Sequence, residues 1–194
     1  MARPREFDSD TVLERAMQVF WTKGYEGASL DDLCGAANLN RSSLYAAFGD
    51  KRALFLETID RYGDRAVARI ETALARPLPV RDALAGFLAD LIGQIVSGPG
   101  RSGCFIGNCA AEAARHDRAV AARVRRNLVR IEAVFHDGFE RAKARGELLP
   151  AADTEALARF FVAGTQGLRL VGKAIADRDM LEDVARVMLR CIGE

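Results

Sequence analysis

The stretch LCGAANLNRSSLYAAFGDK, residues 33–51, decides the reading of this chain. It is built of helix-forming residues, yet it interrupts itself with Gly35, Asn38, Asn40 and the adjacent Ser42 and Ser43, then presents Tyr45. Asn40 suits a helix N-cap, so a short helix is expected from there through Phe48. On that helix Leu44, Ala47 and Phe48 share one side. Ser42, Tyr45 and Ala46 point the other way, with Arg41 and Ser43 on the flanks. An outer helical face usually carries Lys, Glu and Arg. This one offers two hydroxyls, a phenol, a methyl and one guanidinium, and suits close approach to another surface.

Upstream, Ser29 can cap the amide of Asp32 while Asp32 reaches back, a shortened capping box. Leu30, Leu33, Cys34 and Ala37 then fall at i, i+3, i+4 and i+7, a buried stripe. A helix before that is expected from about Ser9 to Lys23, capped by Asp8 or Ser9 and ended by Gly24. Two short helices joined by a tight turn, the second lightly built, form the helix-turn-helix pattern. Downstream, Asp50 should cap a long fourth helix reaching Ala75, with Leu54, Phe55, Thr58, Ile59 and Tyr62 on its apolar side. The boundary between an N-terminal domain, residues 1–52, and a C-terminal one, residues 53–194, therefore falls on a helix.

The remaining chain reads as helices throughout, for about nine in all and an all-α fold. They are expected near Val80–Ser97, Cys104–Ala114, Asp117–Arg145, Thr154–Ala176 and Met180–Cys191, with Asp153 and Asp179 as caps. The long one carries Val124, Leu128, Ile131, Phe135, Phe139 and Ala142 at spacings of three or four. No period-2 run and no internal repeat stands out.

Composition bounds the function. The 194 residues are 49% hydrophobic and 28% charged with net charge +1, ordinary values for a soluble globular protein. Within residues 1–55 seven basic side chains face eight acidic ones, so any nucleic-acid contact rests on placement and not on bulk charge. No apolar run approaches the ~20 residues of a membrane span, so no membrane partner is expected. MARPREFDSD has no apolar core of a signal peptide. Cys34, Cys104, Cys109 and Cys191 show neither CxxC nor zinc-finger spacing, which points to free thiols in a reducing cytoplasm. An all-helical enzyme finds little support: His116 and His136 stand apart with no metal-ligand companion, and no cofactor is expected. Glu112, Arg115, His116 and Asp117 read as a solvated helix junction.

Residues 16–55 resemble the TetR family of bacterial transcriptional repressors. The matching features are Phe20, Gly24 and Tyr25 in an aromatic-Gly-Tyr turn, Ser29 opening the second helix, Ala36, Ala37 and Leu39 in the turn, SLY-x-x-F from Ser43 to Phe48, and Lys51 after the break. The resemblance implies a three-helix DNA-binding domain on a larger helical domain that binds a small-molecule inducer and pairs as a homodimer on a near-palindromic operator. Positions 46 and 47 are often aromatic or His in the family and are alanine here, so readout from Ala46 is limited to apolar contact such as a thymine methyl.

On this basis Tyr45 and Lys51 are assigned to phosphates, Arg41, Ser42 and Ser43 to base edges, and Arg3 and Arg5 to a minor-groove arm, with Ser29 added to the contact set. The inducer pocket is assigned to Phe87, Leu91, Ile95, Cys104, Phe105, Asn108, Phe135, Phe139, Phe161 and Gln166. Cys104, at a helix N-terminus, doubles as a candidate redox or electrophile sensor. The dimer interface is assigned to the last two helices through Gly164, Gly167, Leu168, Val171, Ile175, Leu181, Val184 and Met188.

Overall fold

A computed structural model of the chain describes residues 8–98 and 102–192. Arg3 and Arg5, the expected arm, lie outside the described residues. Among those described there are nine α-helices and no strand: α1 Ser9–Gly27, α2 Leu30–Ala37, α3 Arg41–Phe48, α4 Lys51–Leu74, α5 Val80–Ser97, α6 Phe105–Glu112, α7 Arg118–Ala144, α8 Thr154–Ala174 and α9 Arg178–Arg190. No described helix is long and apolar enough to cross a membrane.

Local chemistry sets the helix ends. The Asp8 carboxylate accepts from the amides of Asp10 and Thr11, Asn40 from Ser43, and Asp50 from Ala53. Ser29 and Asp32 form the reciprocal capping box. Gly24, at φ 73°, breaks the α1 spiral, and the chain resumes helically to Gly27. One cap differs from expectation. Asp177, not Asp179, caps α9 by accepting from the amide of Met180, and the helix begins two residues earlier.

α1 packs on α2 and α4 through Val12, Ala16, Met17 and Phe20, which meet Leu33, Leu54 and Phe55 in a fully buried cluster. Each of the larger side chains, Ala16 apart, stabilises the fold by roughly 1.5–3 kcal/mol on burial. α4 leaves this domain and packs against α5, α6 and α7, while α7 lies along α8 and α5 along α9. Two aromatic clusters hold the ensemble. Phe20, Trp21, Tyr25, Phe55, Tyr62 and Phe105 join α1, α4 and α6, with Tyr25–Phe55 at 4.8 Å and Trp21–Tyr62 at 5.1 Å. Phe87, Phe135, Phe139 and Phe161 join α5, α7 and α8, with Phe139–Phe161 at 5.4 Å.

Candidate nucleic-acid interface

Burial of Leu44 and Phe48 rotates α3 so that Ser42, Tyr45 and Ala46 face outward, Tyr45 with 40% of its surface exposed. Ser43 is half-buried at the capped first turn, where its amide donates to Asn40 Oδ1 at 2.8 Å. Arg41 is exposed but engaged: its Nη2 and Nε donate to Asp31 Oδ1 at 2.7 and 3.2 Å, and this carboxylate raises the guanidinium pKa above its usual value. A solvated pair of this kind is weak, so a phosphate or a guanine edge can displace Asp31. Lys51 opens α4 and its Nζ lies 4.5 Å from the centre of the Tyr25 ring, a cation–π contact that aims the ammonium.

Ser29 is committed elsewhere. Its Oγ accepts from the Asp32 amide at 3.0 Å and donates to Asp32 Oδ2 at 2.8 Å, so the hydroxyl assigned to DNA serves its own helix. Asp32 also accepts from Lys23 Nζ at 2.6 Å, and that bond with those from Ser29 holds its carboxyl down at about 2. Lys23 and Tyr25 were not singled out from sequence as parts of this face. Their roles arise from neighbours brought together by the packing of α1 on α2 and α4.

The junction between domains corrects a second expectation. Glu112 at the end of α6 and Asp117 before α7 are not simply solvated. Glu112 Oε1 accepts from the Tyr25 amide at 3.0 Å and from the Glu26 amide at 3.5 Å. Arg52 donates Nε and Nη2 to the two Asp117 oxygens at 2.7 and 2.8 Å. The Arg52 guanidinium holds the Asp117 carboxyl at about 2. No local pattern announces pairs separated by 65 or 87 residues.

In the second domain the ten pocket candidates separate. Phe87, Cys104 and Gln166 line a small, partly open cavity of about 30 Å³ between α4, α5, α6, α7 and α8. Phe105 and Asn108 border an open cleft of about 450 Å³ between α1 and α6. Leu91, Ile95, Phe135, Phe139 and Phe161 are fully buried in the packed core, where ring-to-ring and aliphatic contacts occupy the faces a ligand would need. The cavity's remaining polar lining, Tyr62, Arg69, Thr165 and Arg169, was not foreseen, because its members come from two helices whose pairing no local spacing encodes.

The interface candidates separate likewise. Leu168, Leu181 and Met188 are buried within their own chain. Gly164 is occupied from inside too: a Cβ there would stand 2.5 Å from Met188 Cε, so its small size serves α8–α9 packing within the chain. Gly167 has open space above it, and Val171, Ile175 and Val184 are exposed. Phe160, Leu170 and Val187 are exposed alongside them on the same two helices, Leu170 at 71%.

A capped helix-turn-helix whose second helix turns small side chains outward, set on a helical domain by one continuous α4, defines a helix-turn-helix DNA-binding transcriptional regulator. The comparisons agree. Residues 12–58 match the model for bacterial regulatory proteins of the tetR family, and residues 81–188 match the tetracyclin repressor-like C-terminal domain. The chain belongs to the TetR family. It is 35% identical, over 97% of its length and 98% of the relative's, to the uncharacterized HTH-type transcriptional regulator YezE of Bacillus subtilis (strain 168). It is 32% identical to the HTH-type transcriptional repressor ComR of Escherichia coli (strain K12), over 97% and 90% of the two chains. Among solved structures, a cysteine mutant of the TetR family regulator CifR complexed with 26-bp operator DNA superimposes with a TM-score of 0.85 at 34% identity, covering 97% of this chain and 98% of that one. The protein is a transcriptional regulator and not an enzyme.

Proposed function

We propose that the chain is a ligand-responsive repressor. It binds a near-palindromic operator as a homodimer and leaves it when a small-molecule inducer occupies the helical domain. One observation carries this reading: α4 begins at Lys51 beside the recognition helix and, further along, presents Tyr62 and Arg69 to the small inner cavity. A ligand that favours one setting of α4 thereby alters the spacing of the two recognition helices, provided it binds the two settings with different affinity. The operator complex of CifR and the repressor name of ComR support the DNA half of the proposal. The apolar strip of Leu170, Val171, Ile175, Val184 and Val187 supports pairing through α8 and α9.

The test is selection of bound duplexes from a random pool, followed by sedimentation of the complex and release with a panel of small molecules. A two-fold site bound by a dimer and released by at least one compound is expected. A monomer with no preference for any duplex would end the proposal.

A second reading has its own observation. Cys104 caps α6 and its Sγ accepts from the Gly107 amide at 3.4 Å and from Tyr62 Oη at 3.8 Å, beside the same cavity. Burial and the nearby Glu112 charge push the Cys109 thiol up and keep it protonated, and Cys104, itself only 6% exposed, is the one of the two that faces Tyr62. Electrophile or oxidant modification there would act on α4 through Tyr62. Operator binding that survives complete alkylation of Cys104 would remove this reading.

A further inference from the structure

Arg169 on α8 is the feature of this fold that the regulator reading leaves unexplained. It is 8% exposed and lines the small inner cavity, yet it makes no hydrogen bond or ion pair with any described residue. The residue is mostly buried while its guanidinium nitrogens keep some access, and native proteins normally set a carboxylate or a ligand against such a group. A second guanidinium, Arg69 of α4, lines the same cavity, and burial together with Arg169 lowers its pKa. No described lining residue is acidic. The cavity thus sets one buried arginine, Arg169, and one exposed one at its rim, Arg69, beside the hydroxyls of Tyr62 and Thr165 and the Gln166 amide, walled by aliphatic side chains and Phe87.

We propose that this cavity recognises the carboxylate of a small organic acid, with Arg169 and Arg69 as its paired donors. The proposal rests on the ligand-responsive reading and deepens it by giving the ligand's chemical class. Two features favour an organic acid over a bare inorganic ion. The walls are largely apolar, and the cavity adjoins an outer cleft of about 310 Å³ between α4 and α5. Arg69 and Phe87 belong to both, so they form the partition. Arg69 is held on the cleft side by Gln94, whose Oε1 accepts from Nη1 at 2.6 Å. A carboxylate entering the cleft competes with Gln94 for Arg69 and draws it inward toward Arg169. The acid's apolar body then occupies the space the side chain vacates. Bridging Arg69 of α4 to Arg169 of α8 ties the occupied cavity to the helix that carries the DNA-binding domain.

The test titrates the full-length protein calorimetrically, at constant ionic strength, with propionate, propionamide, benzoate, benzamide and inorganic phosphate. At least one acid should bind more than about tenfold tighter than its amide, the preference expected of charge-assisted bidentate bonding. Arg169→Met should abolish that preference, and Arg169→Lys should keep part of it. Arg69→Gln supplies a second variant should Arg169→Met fail to fold. Four results overturn the proposal: no acid preferred over its amide, no acid bound, a preference untouched in both Arg169→Met and Arg69→Gln, or phosphate bound as tightly as either acid. Release of selected operator by neutral compounds alone is a fifth, which leaves the regulator standing and removes only the anion.

Discussion

The Glu112 carboxylate accepts the backbone N–H of Tyr25 at 3.0 Å, joining the end of α6 to the turn that closes α1. The turn is shaped for it. Gly24 has φ 73°, and a Cβ there would fall 2.7 Å from Glu112 Oε1, so only glycine admits both the backbone and the acid. α6 also presents Cys104 to the cavity, which makes this bond a direct link between the cavity and the DNA-binding domain. Glu112→Ala is expected to cost about 1 kcal/mol or less in urea unfolding, because the bond is exposed. Operator affinity should persist while sensitivity to the inducer falls, as read by fluorescence anisotropy with and without the compound. Gly24→Ala should cost more, about 1–3 kcal/mol, through the positive φ.

The Arg52–Asp117 pair gives a pH signature. Asp117 titrates at about 2 in the folded chain, held down by Arg52, against about 3.9 unfolded. A depressed carboxyl contributes stability that is complete above the unfolded value and is lost as pH falls from about 4 to about 2. Asp32, also at about 2 through Lys23 and Ser29, titrates over the same window. Asp117→Asn should flatten that part of the acid-unfolding curve, Asp117→Asn with Asp32→Asn should flatten it further, and neither should alter its shape above pH 5.

On the DNA face, Tyr45→Ala and Lys51→Ala should weaken operator and scrambled duplex by similar factors, and Arg41→Ala should relax preference at one base position. The Asp31 contact adds a converse expectation. Asp31→Asn frees Arg41 and removes a negative charge, so affinity for all duplexes should rise several-fold at low salt. Competition binding of the four variants separates these roles. An Arg41→Ala protein with unchanged discrimination would leave that arginine on phosphate or on Asp31 alone.

Pairing and folding should separate on α8 and α9. Leu170→Glu and Val187→Glu place charge on the exposed strip and should yield folded monomers in sedimentation, with much weaker operator binding. Leu181→Ala removes a fully buried side chain and should lower stability by about 2–5 kcal/mol while the surviving folded fraction still dimerises. Monomers from Leu181→Ala alone would reverse this assignment.

What the sequence determined was whatever depends on near neighbours along the chain. The helices and their apolar stripes follow from 3.6-residue periodicity, and most caps follow from an Asp, Ser or Asn set just before them. The outward face of α3 follows from the burial of Leu44 and Phe48 on its other side. Even there the reach was local: α9 starts at a cap two residues from the expected one, because Asp177 and Asp179 are equivalent by type and only the path of the chain selects between them.

Tertiary structure alone decided which partner each polar group would meet. The occupation of the Ser29 hydroxyl, the hold of Asp31 on Arg41, the tie of Glu112 to Tyr25 and the placing of Arg169 and Arg69 on one cavity all depend on how helices cross. The same holds for α8 and α9, where Val171 and Leu168 are equally apolar in sequence and differ only in which one α5, α7 and α9 leave uncovered. Periodicity reports that a side chain has an inner or an outer face. Only packing supplies the atoms on the other side of it.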